Sequence, residues 1–327
     1  LPPRSDRPLP PTRDEAAARG REGTVGAGRK RGFGGHVVSG WNRALSQYRF
    51  CQSPIVNCAI VLSFYVLYTS LVMQQILAIA RYTLLEARRT RLPLLLAAAL
   101  AVMLALAFFI SELAVIESAR LQTSFYAAGA RLAAVFIVSA HVLGSITREF
   151  NDKGIDALLA LDLPRSHYIL GKLGGFLAIA ALVALVTALP LSLQASAVAL
   201  VQWSAALVLE LSVVAAFSLF CVIAFGQFIP AAALVLAFYL LARSLTAIQL
   251  ISAHPLTGAG TLSHEVGRWL VDALALVMPA LDRWPQTAWL VDGAAPWPLF
   301  GGLLAQALLY VALLAGAAMV DFQRRNF

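Results

Sequence analysis

The chain has 327 residues, of which 60% are hydrophobic and only 13% charged, against roughly 25% charged in a soluble domain. With its positive mean hydropathy, this excludes a soluble domain with a single anchor and points to a polytopic membrane protein. The net charge of +8 does not point to nucleic acid, because residues 1–72 hold ten Lys/Arg against four Asp/Glu and residues 73–327 hold fifteen against thirteen.

Residues 1–50 are rich in Pro, Gly and Arg, carry no hydrophobic period and are expected to be disordered. Residues 55–72 are apolar and almost reach the ~20 residues of a span. They read either as an additional span or as part of a spurious extension upstream of the first methionine, Met73. The extension is the expected reading. An extra span would send a tail with ten basic residues to the outer side, against the positive-inside tendency. From Ile76 to Arg91, apolar residues recur at 76, 77, 80, 84 and 87 with charges on the opposite face, which predicts a basic amphipathic helix at the interface.

The first span is predicted at Leu92–Ser111, an outer loop at Glu112–Ser124 and the second span at Phe125–Ile146. A polar island follows, from Thr147 to Lys172. Its charges cannot sit in hydrocarbon, so it is a water-facing segment between spans. It opens on Arg148, Glu149, Asp152 and Lys153, passes Gly154, continues through the amphipathic run Ile155, Leu158, Leu159 and Leu161, and breaks at Pro164-Arg165. Such a pattern suits a short surface helix offered to a soluble partner: Arg148, Glu149 and Lys153 supply charges, and the leucines can fill a groove. The third span is predicted at Tyr168–Leu193, the fourth at Ala197–Phe225 and the fifth at Ile229–Ile251. Residues 252–295 should hold short outer helices around Gly267 to Leu281, with Trp269, Trp284 and Trp289 as interfacial aromatics, and the sixth span should run from Pro296 to Val320. Beyond residue 72, ten basic residues fall on one side of this topology, four (Arg120, Arg131, Arg268 and Arg283) on the other, and Arg243 lies within the fifth span. That distribution places both ends and the polar island in the cytoplasm of a multi-pass inner (plasma) membrane protein.

No phosphate loop occurs, and Gly171-Lys172 lacks the upstream glycine and the following Ser/Thr. There is no nucleophile elbow, His264-Glu265 lacks a second histidine at metalloprotease spacing, and Cys51, Cys58 and Cys221 form no metal or disulfide pattern. No catalytic residues, metal ligands or bound cofactor are expected. Glu210 and Arg243 stand out as charges within otherwise apolar spans. They read as an inter-span pair or as part of a substrate path. Gly171, Gly174, Gly175 and Ala178 suit close helix packing, and His141 suits a helix contact.

Three places resemble the permease subunits of ABC-2 type exporters, in the branch of the multi-copper-enzyme maturation permeases. Residues 79–89 resemble the opening elbow helix. Arg148-Glu149, Lys153-Gly154, Leu158-Leu159-Ala160, Leu163-Pro164-Arg165-Ser166 and Gly171-Lys172 resemble the first cytoplasmic loop, which carries the coupling helix. Residues 277–284 resemble the proline-containing outer segment before the last span, and the basic-aromatic end from Phe322 to Phe327 also fits. The match covers 73–327. It implies an all-α permease with six transmembrane helices, an N-terminal interfacial elbow helix and a cytoplasmic coupling helix. The resemblance also implies a second permease copy and a separate ABC ATP-binding subunit, with ATP and Mg held by that partner. The contact with the ATPase would be made by Arg148, Glu149, Lys153, Gly154, Leu158, Leu159 and Arg165. The rival expectation is an ion-coupled carrier or intramembrane enzyme built on Glu210 and Arg243, although no inverted repeat of the carrier kind stands out.

Overall fold

The computed structural model describes residues 54–113, 117–152, 165–253 and 262–324, and it is helical with no strand among them. The chain divides into two compact units, Leu1–Phe64 and Tyr65–Phe327. In the first, the described residues, 54–64, are helical. The site lies in the second.

The helices are α1 (Pro54–Arg89), α2 (Leu92–Leu113), α3 (Ser118–Asn151), α4 (Arg165–Ala188), α5 (Ala197–Phe225), α6 (Phe228–Ala253), α7 (Leu262–Val277), α8 (Ala288–Val291) and α9 (Trp297–Arg324). Among the described residues, six helices (α2 to α6, and α9) are long and apolar enough to cross a membrane. These correspond to the six predicted spans. The break between α4 and α5 comes where Pro190 starts a 3-10 turn, Leu189–Leu193, since proline cannot continue the helical ladder. Ser196 then caps α5, its hydroxyl accepting from the N–H of Ala199 at 3.4 Å. Gly226, at φ 70°, ends α5 in the left-handed conformation that glycine adopts without penalty.

Three predicted boundaries shift. The helical run through Met73 begins at Pro54, so residues 76–89 are the end of one long helix. The expected outer loop Glu112–Ser124 gives way to helix from Ser118, and α3 continues five residues past Ile146 into the polar island. At 34 residues, α3 is about 51 Å long, well beyond the ~30 Å hydrocarbon thickness. Residues 118–124 and 147–151 therefore extend an apolar middle at both ends. Trp269 is exposed as expected of an interfacial aromatic, but Trp284 and Trp289 are buried. The segment after α7 folds back onto the bundle and carries these two rings inward.

α5 is the central post, with 78% of its apolar window buried, against 17% for α2. It packs against α3, α4, α6 and α9, while α2 lies on α3 and α7 lies on α6. On one side of the bundle α1 approaches α4 closely. A Cβ built on Gly171 would lie 2.7 Å from Ile79 Cβ, and one on Gly175 would lie 2.6 Å from Thr83 Cβ. The small residues of α4 thus serve the close packing that the sequence suggests, with α1 as the neighbour.

Candidate functional site

Two polar clusters sit at different depths in the bundle. The first joins α1, the C-terminal part of α3 and the N-terminal part of α4. Lys172, on α4, has a side chain only 2% exposed. Its ammonium bonds the carboxylate of Glu149 on α3 and stands 3.5 Å from Glu86 Oε2 on α1. The Tyr168 hydroxyl donates to the other Glu149 oxygen, and its ring stacks on Phe322 of α9 with centroids 5.8 Å apart. Ser145 donates to Glu86 Oε1 at 2.9 Å. Helical spacing explains the assembly, because Ser145 and Glu149 share a face of α3, and Tyr168 and Lys172 share a face of α4. One level deeper, His141 sets its ring edge-on to Phe176 of α4 at 6.2 Å.

Of the residues expected to contact an ATPase, Glu149 is already engaged by Tyr168 and Lys172. A buried ammonium requires a carboxylate, and Glu149 provides it. Arg148 differs. Its Nε donates to Gly144 O at 3.0 Å, its Nη2 lies 3.9 Å from Glu86, and its side chain remains 58% exposed. Arg165 opens α4. Lys153, Gly154, Leu158 and Leu159 lie outside the described residues.

The second cluster lies deeper, around the middles of α5 and α6. Glu210 is fully buried on α5. The Tyr239 hydroxyl of α6 donates to its Oε1 at 3.2 Å, and its Oε2 has no hydrogen-bond partner among the described residues. Arg131 of α3 and Arg243 of α6 both act on it electrostatically. Neither forms an ion pair with it within 4.0 Å. Instead they grip a roof made of the single 3-10 turn Leu281–Arg283 and the two residues after it. Arg131 Nη1 donates to Pro285 O at 2.9 Å. Arg243 Nη1 donates to Leu281 O at 2.6 Å and to Trp284 O at 3.3 Å. Irregular backbone at this depth is tolerated only when its carbonyls are satisfied by protein, and the two guanidiniums do that here. Next to the roof, Gln202 of α5 bonds both backbone groups of Ala295, donating from Nε2 at 2.9 Å and accepting at Oε1 at 2.8 Å.

Glu210 and Arg243 therefore belong to one neighbourhood but do not bond each other directly. Sequence reasoning placed Arg131 among the outer-side basic residues and did not single out Tyr239. A signal for Arg131 was present: it is a lone charge followed by the apolar run LAAVFIVSA. Because Arg243 holds the roof, Arg243→Gln should loosen residues 281–285. Hydrogen exchange there should accelerate about tenfold or more for the loss of one charge-assisted contact of roughly 1.5–3 kcal/mol. Unchanged exchange would show that the roof is held otherwise.

Among the described residues, no group of three or more His, Cys, Asp or Glu could hold a metal ion. No protein-family model matches the chain, and a comparison with curated proteins finds no match.

Proposed function

We propose that the chain is the membrane subunit of an ATP-driven exporter of ABC-2 type, with a separate ATPase as partner and a second permease copy completing the path. In this reading residues 79–89 are the elbow, segment 148–166 is the coupling element, and both termini face the cytoplasm. The carrying observation is the buried Glu86–Lys172–Glu149 knot. It fastens α1 to the stretches of α3 and α4 that precede and follow the coupling segment in the chain, so a push there reaches three helices at once. A simple connector between two spans has no need of a buried ammonium shared by two carboxylates. The Arg131–Glu210–Tyr239–Arg243 cluster supplies a polar region deeper in the bundle, as a substrate path requires.

The test is a search for a Walker-motif ATPase that co-purifies with this chain, followed by ATP turnover in vesicles. Arg148→Ala and Leu158→Pro should each reduce ATPase retention and stimulated turnover while membrane insertion and thermal stability hold. A proline within a short helix costs ~3 kcal/mol, enough to abolish docking. Unchanged retention and turnover in both variants would overturn the assignment.

A further inference from the structure

A cleft of about 360 Å³ opens between α3 and α6, lined by Val135, Ser139 and Leu143 on one side and by Ile229, Val235 and Tyr239 on the other. Both walls are candidate membrane spans, so the medium outside the cleft is hydrocarbon, not water. Its size falls within the range of small-molecule pockets, roughly 300–1,000 Å³. Cα atoms of α3 and α6 still approach within 8 Å of one another, so a helix ~10–12 Å across does not pass between them.

The cleft is not apolar to its end. Tyr239 lines it and donates to the buried Glu210. Four residues before Val135 on the same face of α3 comes Arg131, and four residues beyond Tyr239 on α6 comes Arg243. Both arginine charges act on Tyr239. Across these three helices two guanidiniums face one carboxylate. Their hydrogen bonds go to the neutral carbonyls of Leu281, Trp284 and Pro285. Asp282, in the roof, acts on Arg243, but no ion pair within 4.0 Å joins them among the described residues. Arg131 Nε is buried with no acceptor among the described residues. A guanidinium presents five donors, and its bonds to an anion are about twice as strong as bonds between neutral groups.

We infer that the cleft binds a single-chain anionic amphiphile drawn from the bilayer, its chain between α3 and α6 and its carboxylate or phosphate head toward Tyr239, Arg131 and Arg243. As a statement about cargo this rests on the transport reading; as a binding site it does not. The head reaches the arginines once Tyr239 turns from Glu210, and the chain replaces void contacts along Val135, Leu143 and Val235 with dispersion contacts.

The full chain in phosphatidylcholine vesicles, photolabelled with palmitate carrying a mid-chain diazirine, tests this. Peptides covering 135–143 and 228–239 should take up label about tenfold above the lipid-facing helix α2, a difference of ~1.4 kcal/mol in occupancy. Unlabelled palmitate should compete and hexadecylamine should not. Arg131→Gln should weaken the labelling. Since that change also touches the roof, Ala140→Phe and Ala233→Phe, both at exposed cleft-lining positions, provide the second check. Each should remove the label from the cleft and leave α2 labelled. Equal labelling of cleft and α2, equal competition by the amine, indifference to the two phenylalanines, or cross-links joining two copies through the cleft would overturn the site. If the cleft labels as described but ATP with the partner ATPase never releases the palmitate, the site stands and the statement about cargo falls.

Discussion

Replacing Lys172 by methionine should be the most damaging single change in the membrane unit. The ammonium is nearly inaccessible and stands between Glu149 and Glu86, whose side chains are only 18% and 22% exposed. Removing it leaves Glu149 without a counter-charge beside Glu86, which keeps only its 3.9 Å contact with the exposed Arg148, and deleting one partner of a buried pair costs about 3–5 kcal/mol. Thermal unfolding of the purified protein in detergent should show a lower midpoint, or the variant should fail to accumulate. The triple change Glu86→Gln, Glu149→Gln, Lys172→Met should recover part of the loss, because no charge is then left alone and the apolar stem of methionine fills the same space. A Lys172→Met protein as stable as the parent, or a triple variant no better than the single, would mean that the knot does not hold α1, α3 and α4 together.

The second large effect is expected at the α1–α4 contact. Alanine at Gly171 would place its Cβ 2.7 Å from Ile79 Cβ and 3.1 Å from Ile76 O, and alanine at Gly175 would lie 2.6 Å from Thr83 Cβ and 3.1 Å from Ala80 O. These neighbours are backbone and β-carbons, which cannot turn aside as the end of a long side chain would. Overpacking of this kind costs about 1–3 kcal/mol per site, so the double alanine variant should lose several kcal/mol or force α1 away from α4. Gly174→Ala is the built-in control, since its nearest neighbour, Ala80 Cβ, would be 3.9 Å away. Thermal midpoints and protease protection of residues 72–91 measure both. Equal behaviour of the double variant and the control would refute the close approach.

How much of this was legible beforehand varied with the physics involved. The six spans were, because each is a long apolar run whose length the bilayer dictates. The polar island reads as a segment that cannot lie in hydrocarbon, but its residues 153–164 fall outside the described ones. What the sequence could not supply was pairing. Periodicity assigns Glu149 and Lys172 to helix faces, but whether those faces meet each other or a soluble partner depends on helix rotation and crossing, which no local pattern encodes. For that reason Glu149 read as an outward-facing charge, while in the structure it neutralises Lys172. Arg131 read as an outer-side charge because it lies near the start of its span, and only the return of residues 281–285 buries it. The same return explains Trp284 and Trp289: indole rings near a membrane boundary suit an interface or a packed interior equally well, and the fold-back decides. Glu210 and Arg243 stood out in the sequence by their cost in lipid, but their direct partners, Tyr239 and the roof carbonyls, are unremarkable as sequence.

The central position of α5 bears on how the chain is made. Ribosomes deliver helices in order, and an acidic side chain entering the bilayer unaided carries a penalty of about 2.5–3.5 kcal/mol on insertion scales. Glu210 does not arrive unaided. Arg131 precedes it by two helices in synthesis, so its guanidinium is already in the membrane when α5 leaves the translocation channel, and Tyr239 follows one helix later with the hydroxyl that binds the acid. The roof, residues 281–285, is synthesised last of the four parts and can lock onto Arg131 and Arg243 only after both are in place. The order in which the polar groups are translated is thus also an order in which each newcomer finds a companion waiting, and truncation just after α5 should leave a nascent chain that still inserts but has no seal over its acid.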